Sequence, residues 1–187
     1  MRFLSFAVVL AAVALVGCAS HLKVAPVDPQ TGLLKSEIGT VGNATTVIAK
    51  DISLSKFNGI AVMSNGGEYG LQQLRATNVF KEVLSFEDIQ KLIVTKGLQD
   101  QVSSIAEPIG LTRLAKAYKP FLWVHAKSLR KPGEHQPYLQ LIATDPTTLD
   151  QIFLAEVKLD IAWAGVNDQN VRYPLFNSFI QWARKNP

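Results

Sequence analysis

One run constrains this chain more than any other. Phe153, Ala155, Val157, Leu159, Ile161 and Trp163 fall at every second position, with Glu156, Lys158 and Asp160 between them. A period of two is the pleat of a β-strand. An apolar set on one side and charges on the other mark a strand that covers a core with one face and meets water or a partner with the other. Such a strand takes antiparallel neighbours, and the preceding residues supply them. Tyr138–Thr144 alternates, with Leu139, Leu141 and Ala143 on one side, and Asp145–Asp150 turns the chain between the two runs. Phe121–Ala126 is apolar on both sides, as in a central strand, and Arg130–Pro137 reads as a polar hairpin loop.

Upstream the period becomes helical. Leu71 and Leu74 predict a helix over Glu68–Val79. Glu87 opens a second, with Ile89, Leu92 and Ile93 on one face and Gly97 as its stop. Leu111, Leu114, Ala115 and Tyr118 mark a third after Pro108. Short strands are predicted at Thr46–Ala49, Ile60–Met63 and Glu82–Phe86. A last amphipathic helix near Pro174 turns Leu175, Phe179, Trp182 and Ala183 inward. From Ile60 onward the order β-α-β-α-α-β-β-β-α predicts an α+β fold, its helices packed on one face of a mixed sheet that ends in an antiparallel three-stranded meander.

The N-terminus carries a different signal. Met1-Arg2 is followed by Phe3–Val16, apolar except for Ser5. That run is shorter than the ~20 residues of a spanning helix, and a short apolar run behind a positive charge reads as a secretory signal. It ends in Leu15-Val16-Gly17-Cys18, which resembles the lipobox of bacterial lipoproteins. The resemblance implies a diacylglycerol on the Cys18 thiol, cleavage before Cys18 and acylation of its new amine. Ala19-Ser20 lack the aspartate that retains such proteins in the inner membrane, which implies the outer membrane with the domain facing the periplasm. The expected organisation is therefore a signal peptide at 1–17, a lipidated N-terminus and flexible tether at 18–44, rich in Pro and Gly, and one domain at 45–187.

Composition agrees with a compact domain, at 48% apolar and 18% charged. The formal charge of +4 includes Arg2, and its excess is scattered, unlike the clustered basic face of a nucleic-acid binder. Cys18 is the single cysteine, so neither an intramolecular disulfide nor a paired-thiol metal site can form.

At the level of architecture the chain resembles the N-terminal domain of the periplasmic TolB protein, LpoB-type lipoproteins and CsgG-type lipoproteins. The residues that carry this are Gly59-Ile60-Ala61-Val62, Asn78–Phe86, Leu141–Asp145 with Thr147-Thr148, and Ile152-Phe153, over roughly 57–185. The family hairpin has a glycine where Leu149-Asp150 stands here. The resemblance implies a non-catalytic lipoprotein that binds an envelope protein or peptidoglycan. A structural subunit of an export assembly is the competing reading, although Arg130–Pro137 is too short for strands that need ~9–11 residues each to cross a bilayer. An envelope hydrolase working through scattered carboxylates is the third.

Chemistry-bearing motifs are sparse. Ser64–Gly70 is Gly-rich between strand and helix, but no Lys-Ser/Thr pair follows and Glu68 repels anions, so a tight turn is expected. His21, His125 and His135 stand at no metal-ligand spacing, and His125 is expected to be a buried or edge residue with one hydrogen bond. Glu134, Asp145 and Asp150 are the candidate carboxylates for the hydrolase. No catalytic residue, cofactor or metal is predicted. The candidate partner surface comprises Arg130, Lys131, Glu134 and His135 on the hairpin, together with the aromatic residues Tyr173 and Phe176.

Overall fold

The structure, a computed structural model, describes residues 23–37, 43–159 and 168–187. Cys18, the predicted signal segment, His21, and Ile161 and Trp163 of the alternating run lie outside the described residues. The strands are β1 (Thr45–Ala49), β2 (Ile60–Ser64), β3 (Glu82–Leu84), β4 (Leu122–Leu129), β5 (Tyr138–Asp145) and β6 (Asp150–Lys158). The helices are α1 (Gly67–Ala76), α2 (Phe86–Thr95), α3 (Pro108–Ala117) and α4 (Tyr173–Lys185). A 3₁₀ turn at Leu54–Phe57 precedes β2, and one π turn, Asp168–Arg172, leads into α4.

The strands form one mixed sheet in the order β1-β6-β5-β4-β2-β3. β2 runs parallel to β3 on one side and to β4 on the other, and the remaining pairs are antiparallel. α1 carries the chain from β2 out to β3, and α2 with α3 carry it back past β2 to β4. Crossovers between parallel strands are right-handed, so a reversal of direction at β2 sends the two connections to opposite faces. Ala61 and Met63 accordingly pack with Leu71 and Leu74 of α1, whereas Ile60 and Val62 pack with Ile89 and Ile93 of α2 and Leu111 and Leu114 of α3. The fold is α+β as the sequence predicts. The layering differs, because helices cover both faces.

α4 closes the larger core. Phe153 of β6, Phe179 and Trp182 sit within 5.1–5.6 Å of one another, centroid to centroid. The Trp182 indole donates to the Lys50 carbonyl at 3.0 Å, which satisfies its N–H in the core. The charged face of β6 is covered at Glu156 and open at Lys158, which is exposed. β1 pairs along the outer side of β6, so β6 is an interior strand, and Glu156 is buried.

Two boundaries move for local reasons. α1 ends at Ala76, three residues before the predicted Val79. Thr77 turns its hydroxyl onto the Leu74 carbonyl, and Asn78 adopts a left-handed φ of 54°. α2 opens at Ser85, whose hydroxyl takes the Asp88 N–H while the Asp88 carboxylate takes the Ser85 N–H. This reciprocal capping box ends β3 before Phe86 and holds the Asp88 carboxyl below its ordinary range.

Candidate functional site

The polar residues predicted on the β4–β5 hairpin do come together, and they hold the hairpin itself. Lys131 bonds the buried carboxylate of Glu156, whose other oxygen accepts from Gln140 at 3.0 Å. Glu134 accepts from the Tyr138 hydroxyl at 2.7 Å and pairs with Lys158 at 2.8 Å. The ammonium of Lys131 stands 4.2 Å from the Tyr138 ring centre. Lys158 and then Tyr138 hold the Glu134 carboxyl below its ordinary range, and Glu156 holds the Lys131 ammonium above its own. Arg130 and His135 remain exposed.

Tyr173 and Phe176 are not a partner-facing patch. Each is 4% exposed and belongs to the main core, because α4 packs along the sheet through this flank as well as through Phe179 and Trp182. Of the candidate carboxylates, Asp145 and Asp150 face each other across the β5–β6 pairing, and Glu134 is far from both. Glu134 lies beyond one end of β5, while Asp145 and Asp150 close the other. An eight-residue strand spans roughly 24 Å, well beyond the ~9.5 Å upper limit for a glycosidase pair. Asp145 is occupied by Lys56 at 2.8 Å and by the Thr147 hydroxyl and N–H.

His125 stacks on Trp123, centroids 4.5 Å apart, and its buried Nδ1 has no hydrogen-bond partner, contrary to the expected single bond. Burial, followed by the charge of Lys127, pushes its pKa down to about 4, so the ring is neutral near pH 7. The Gly-rich segment is a turn, with Asn65 at φ 55° and Gly67 at φ 58°.

A feature the sequence reading missed lies in the predicted tether. Residues 23–37, hereafter the strap, are docked on the domain. Val27 and Leu34 form an antiparallel bridge around the turn Asp28-Pro29-Gln30-Thr31-Gly32. Two side-chain amides grip the strap backbone as a neighbouring strand would. Gln73, fully buried on α1, accepts from the Ala25 N–H at 3.0 Å and donates to the Ala25 carbonyl at 2.8 Å. Asn177 on α4 does the same to Leu34, at 2.7 and 3.0 Å. Arg184 donates to the carbonyls of Thr31 and Gly32 at 2.9 and 2.8 Å, and Leu34 is 4% exposed in the main core. The available signal was Asp-Pro-x-x-Gly between Val27 and Leu33-Leu34, which is turn chemistry and not linker chemistry.

The docked strap walls a cleft of about 870 Å³ at the end of the sheet where β2 begins. Its floor is Leu54, Val79, Phe80 and Ala183. Its polar lining is Ser55, Asn58, Thr77, Asn78, Lys81 and Arg184, of which Thr77 is buried with its hydroxyl on the Leu74 carbonyl. Three rim loops are fixed by left-handed residues, Asn58-Gly59, Asn78 and Gly32. Asn58 is further tied to the Pro120 carbonyl, and the chain end is tied to Ser53. The recess is lined by apolar and hydrogen-bonding side chains together, as small-ligand and peptide sites are. Among the described residues no group of three or more His, Cys, Asp or Glu side chains could hold a metal ion, and no helix is long and apolar enough to cross a membrane. Compared with known proteins, the chain matches no family model, no curated protein and no solved structure.

Proposed function

We propose that this chain is a bacterial envelope lipoprotein, anchored through Cys18 in the outer membrane. Its periplasmic domain binds an envelope protein or peptidoglycan and transforms no substrate. The observation that carries the reading is the strap. It begins five residues after Cys18, is gripped along its backbone by Gln73, Asn177 and Arg184, and its hairpin forms one wall of the cleft. The chain from Lys23 to the recess is thus one continuous docked element, which suits a protein that holds a partner at a distance from a membrane. The lipobox resemblance supports the anchor. The candidate acids support binding over hydrolysis, since Glu134 and Asp145 are committed to ion pairs at opposite ends of one strand.

A photo-crosslinking residue at Lys81, on the cleft rim, tests the reading in intact cells, with Val94 on the exposed face of α2 as the control. The expected result is a discrete adduct to one envelope protein or to peptidoglycan fragments from position 81 and none from 94. Equal labelling from both positions, or turnover of an envelope substrate by the purified protein, overturns it.

A further inference from the structure

The strap has a direction, and the direction orients the domain. At its start, the Lys23 carbonyl accepts from the hydroxyl of Tyr173, the first residue of α4. Its hairpin lies at the other end of α4, against Arg184. The end of the molecule at which the strap begins is also the end where β2 finishes, at Ser64 opposite His125. β4 and β5 continue past that point to Leu129 and Tyr138, so the Arg130–Pro137 hairpin projects there. Arg172, next to Tyr173, shares a small recess with Ala126, Leu139 and Gln140 of the projecting strands, which fixes strap origin and hairpin on one end. The 870 Å³ cleft lies on the opposite end.

Lys23 is five positions after Cys18, and a chain extends at most ~3.6 Å per residue, so a lipid on Cys18 holds the strap origin within roughly 18 Å of the bilayer surface. On the hairpin, Lys131 and Lys158 are matched by Glu156 and Glu134, whereas Lys127 and Arg130 are exposed and have no ion-pair partner among the described residues. Glu68, at the start of α1, and Glu37, late in the strap, weaken the field of this end as a whole, so the attraction is local to those two cations. We infer that the β4–β5 hairpin is a lipid-contacting surface. Lys127 and Arg130 rest on anionic headgroups of the membrane that holds Cys18, and the cleft points away from it. This rests on the lipoprotein reading and specifies which surface faces which partner.

The test uses the full lipidated chain in phosphatidylcholine vesicles with and without phosphatidylglycerol, carrying a fluorophore on His135→Cys or on Lys81→Cys and a nitroxide-headgroup lipid as quencher. Mass spectrometry reads the acyl groups on Cys18. The expected result is acylated Cys18, with strong quenching at 135 in anionic vesicles and none at 81. Lys127→Gln and Arg130→Gln each weaken the contact by about fivefold. Acylated Cys18 with equal quenching at both positions, or quenching at 81 alone, overturns the inference and leaves the lipoprotein reading standing. An unacylated Cys18 overturns both.

Discussion

Two turns of this molecule share one build. Asp28-Pro29-Gln30-Thr31-Gly32 closes the strap hairpin, and Asp145-Pro146-Thr147-Thr148-Leu149 closes β5 onto β6. In each, the aspartate Oδ1 accepts from the backbone N–H two residues on, at 2.8 Å from Gln30 and 2.9 Å from Thr147. In each, the fifth residue returns its N–H to the aspartate carbonyl, and its φ is left-handed, 66° at Gly32 and 62° at Leu149. The difference is the fifth side chain and what stands beside it. Gly32 lies under the Arg184 guanidinium, while Leu149 is 43% exposed. The comparison separates turn chemistry, which is local and repeats, from docking, which depends on a particular neighbour.

Exchanging the fifth residues is the strongest way to break the likeness. A Cβ on Gly32 would stand 1.7 Å from Arg184 Nη2, so the guanidinium must leave the two carbonyls it holds. Gly32→Leu therefore combines a left-handed backbone penalty with lost charge-assisted bonds, about 2–3 kcal/mol against strap docking. Hydrogen exchange should quicken at Ala25 and Leu34 while core amides of β5 stay protected. Uniform quickening would show that the strap is not a separable element. The reciprocal change, Leu149→Gly, relieves a bulky residue of its left-handed strain and loses little burial. It should stabilise the protein by about 0.5–1 kcal/mol, after the greater freedom of glycine in the unfolded chain is counted. A raised urea midpoint at unchanged slope checks it, and a lowered midpoint contradicts it.

The same pair of turns explains what was legible in the sequence. The Asp145 turn stands between two runs of period two, so the flanking alternation marks it as a hairpin. The Asp28 turn has the same residues, but its arms are held mainly by the amides of Gln73 and Asn177, 48 and 143 residues away in the chain. No local period records such bonds, and the Pro and Gly around the turn imitate a tether. The placement of helices on both faces was readable in principle from the strand order at β2, but pairing partners are not written in periodicity. Tyr173 and Phe176 point to a limit of a different kind. α4 buries more than one face, so a stripe of inward residues does not leave its neighbours free.

The smallest effect separates the turns by electrostatics. Both aspartates are held below the ordinary carboxylate range, for different reasons. The backbone N–H groups of Thr31 and Gln30 hold Asp28, which is partly exposed. Burial pushes Asp145 upward, and the Lys56 ammonium and then Thr147 outweigh that push. A carboxyl whose folded pKa is depressed contributes stability that is present above its unfolded value and disappears as pH falls through the folded one. Lys56→Gln removes the main opposition to burial, so the Asp145 carboxyl should titrate at higher pH while Asp28 stays where it is. The acid unfolding transition then begins at higher pH as well. Carboxyl NMR titration reads both residues in one sample. An Asp145 resonance unmoved by Lys56→Gln would mean that Thr147 alone keeps it ionised, and the two turns would then be held by the same local chemistry.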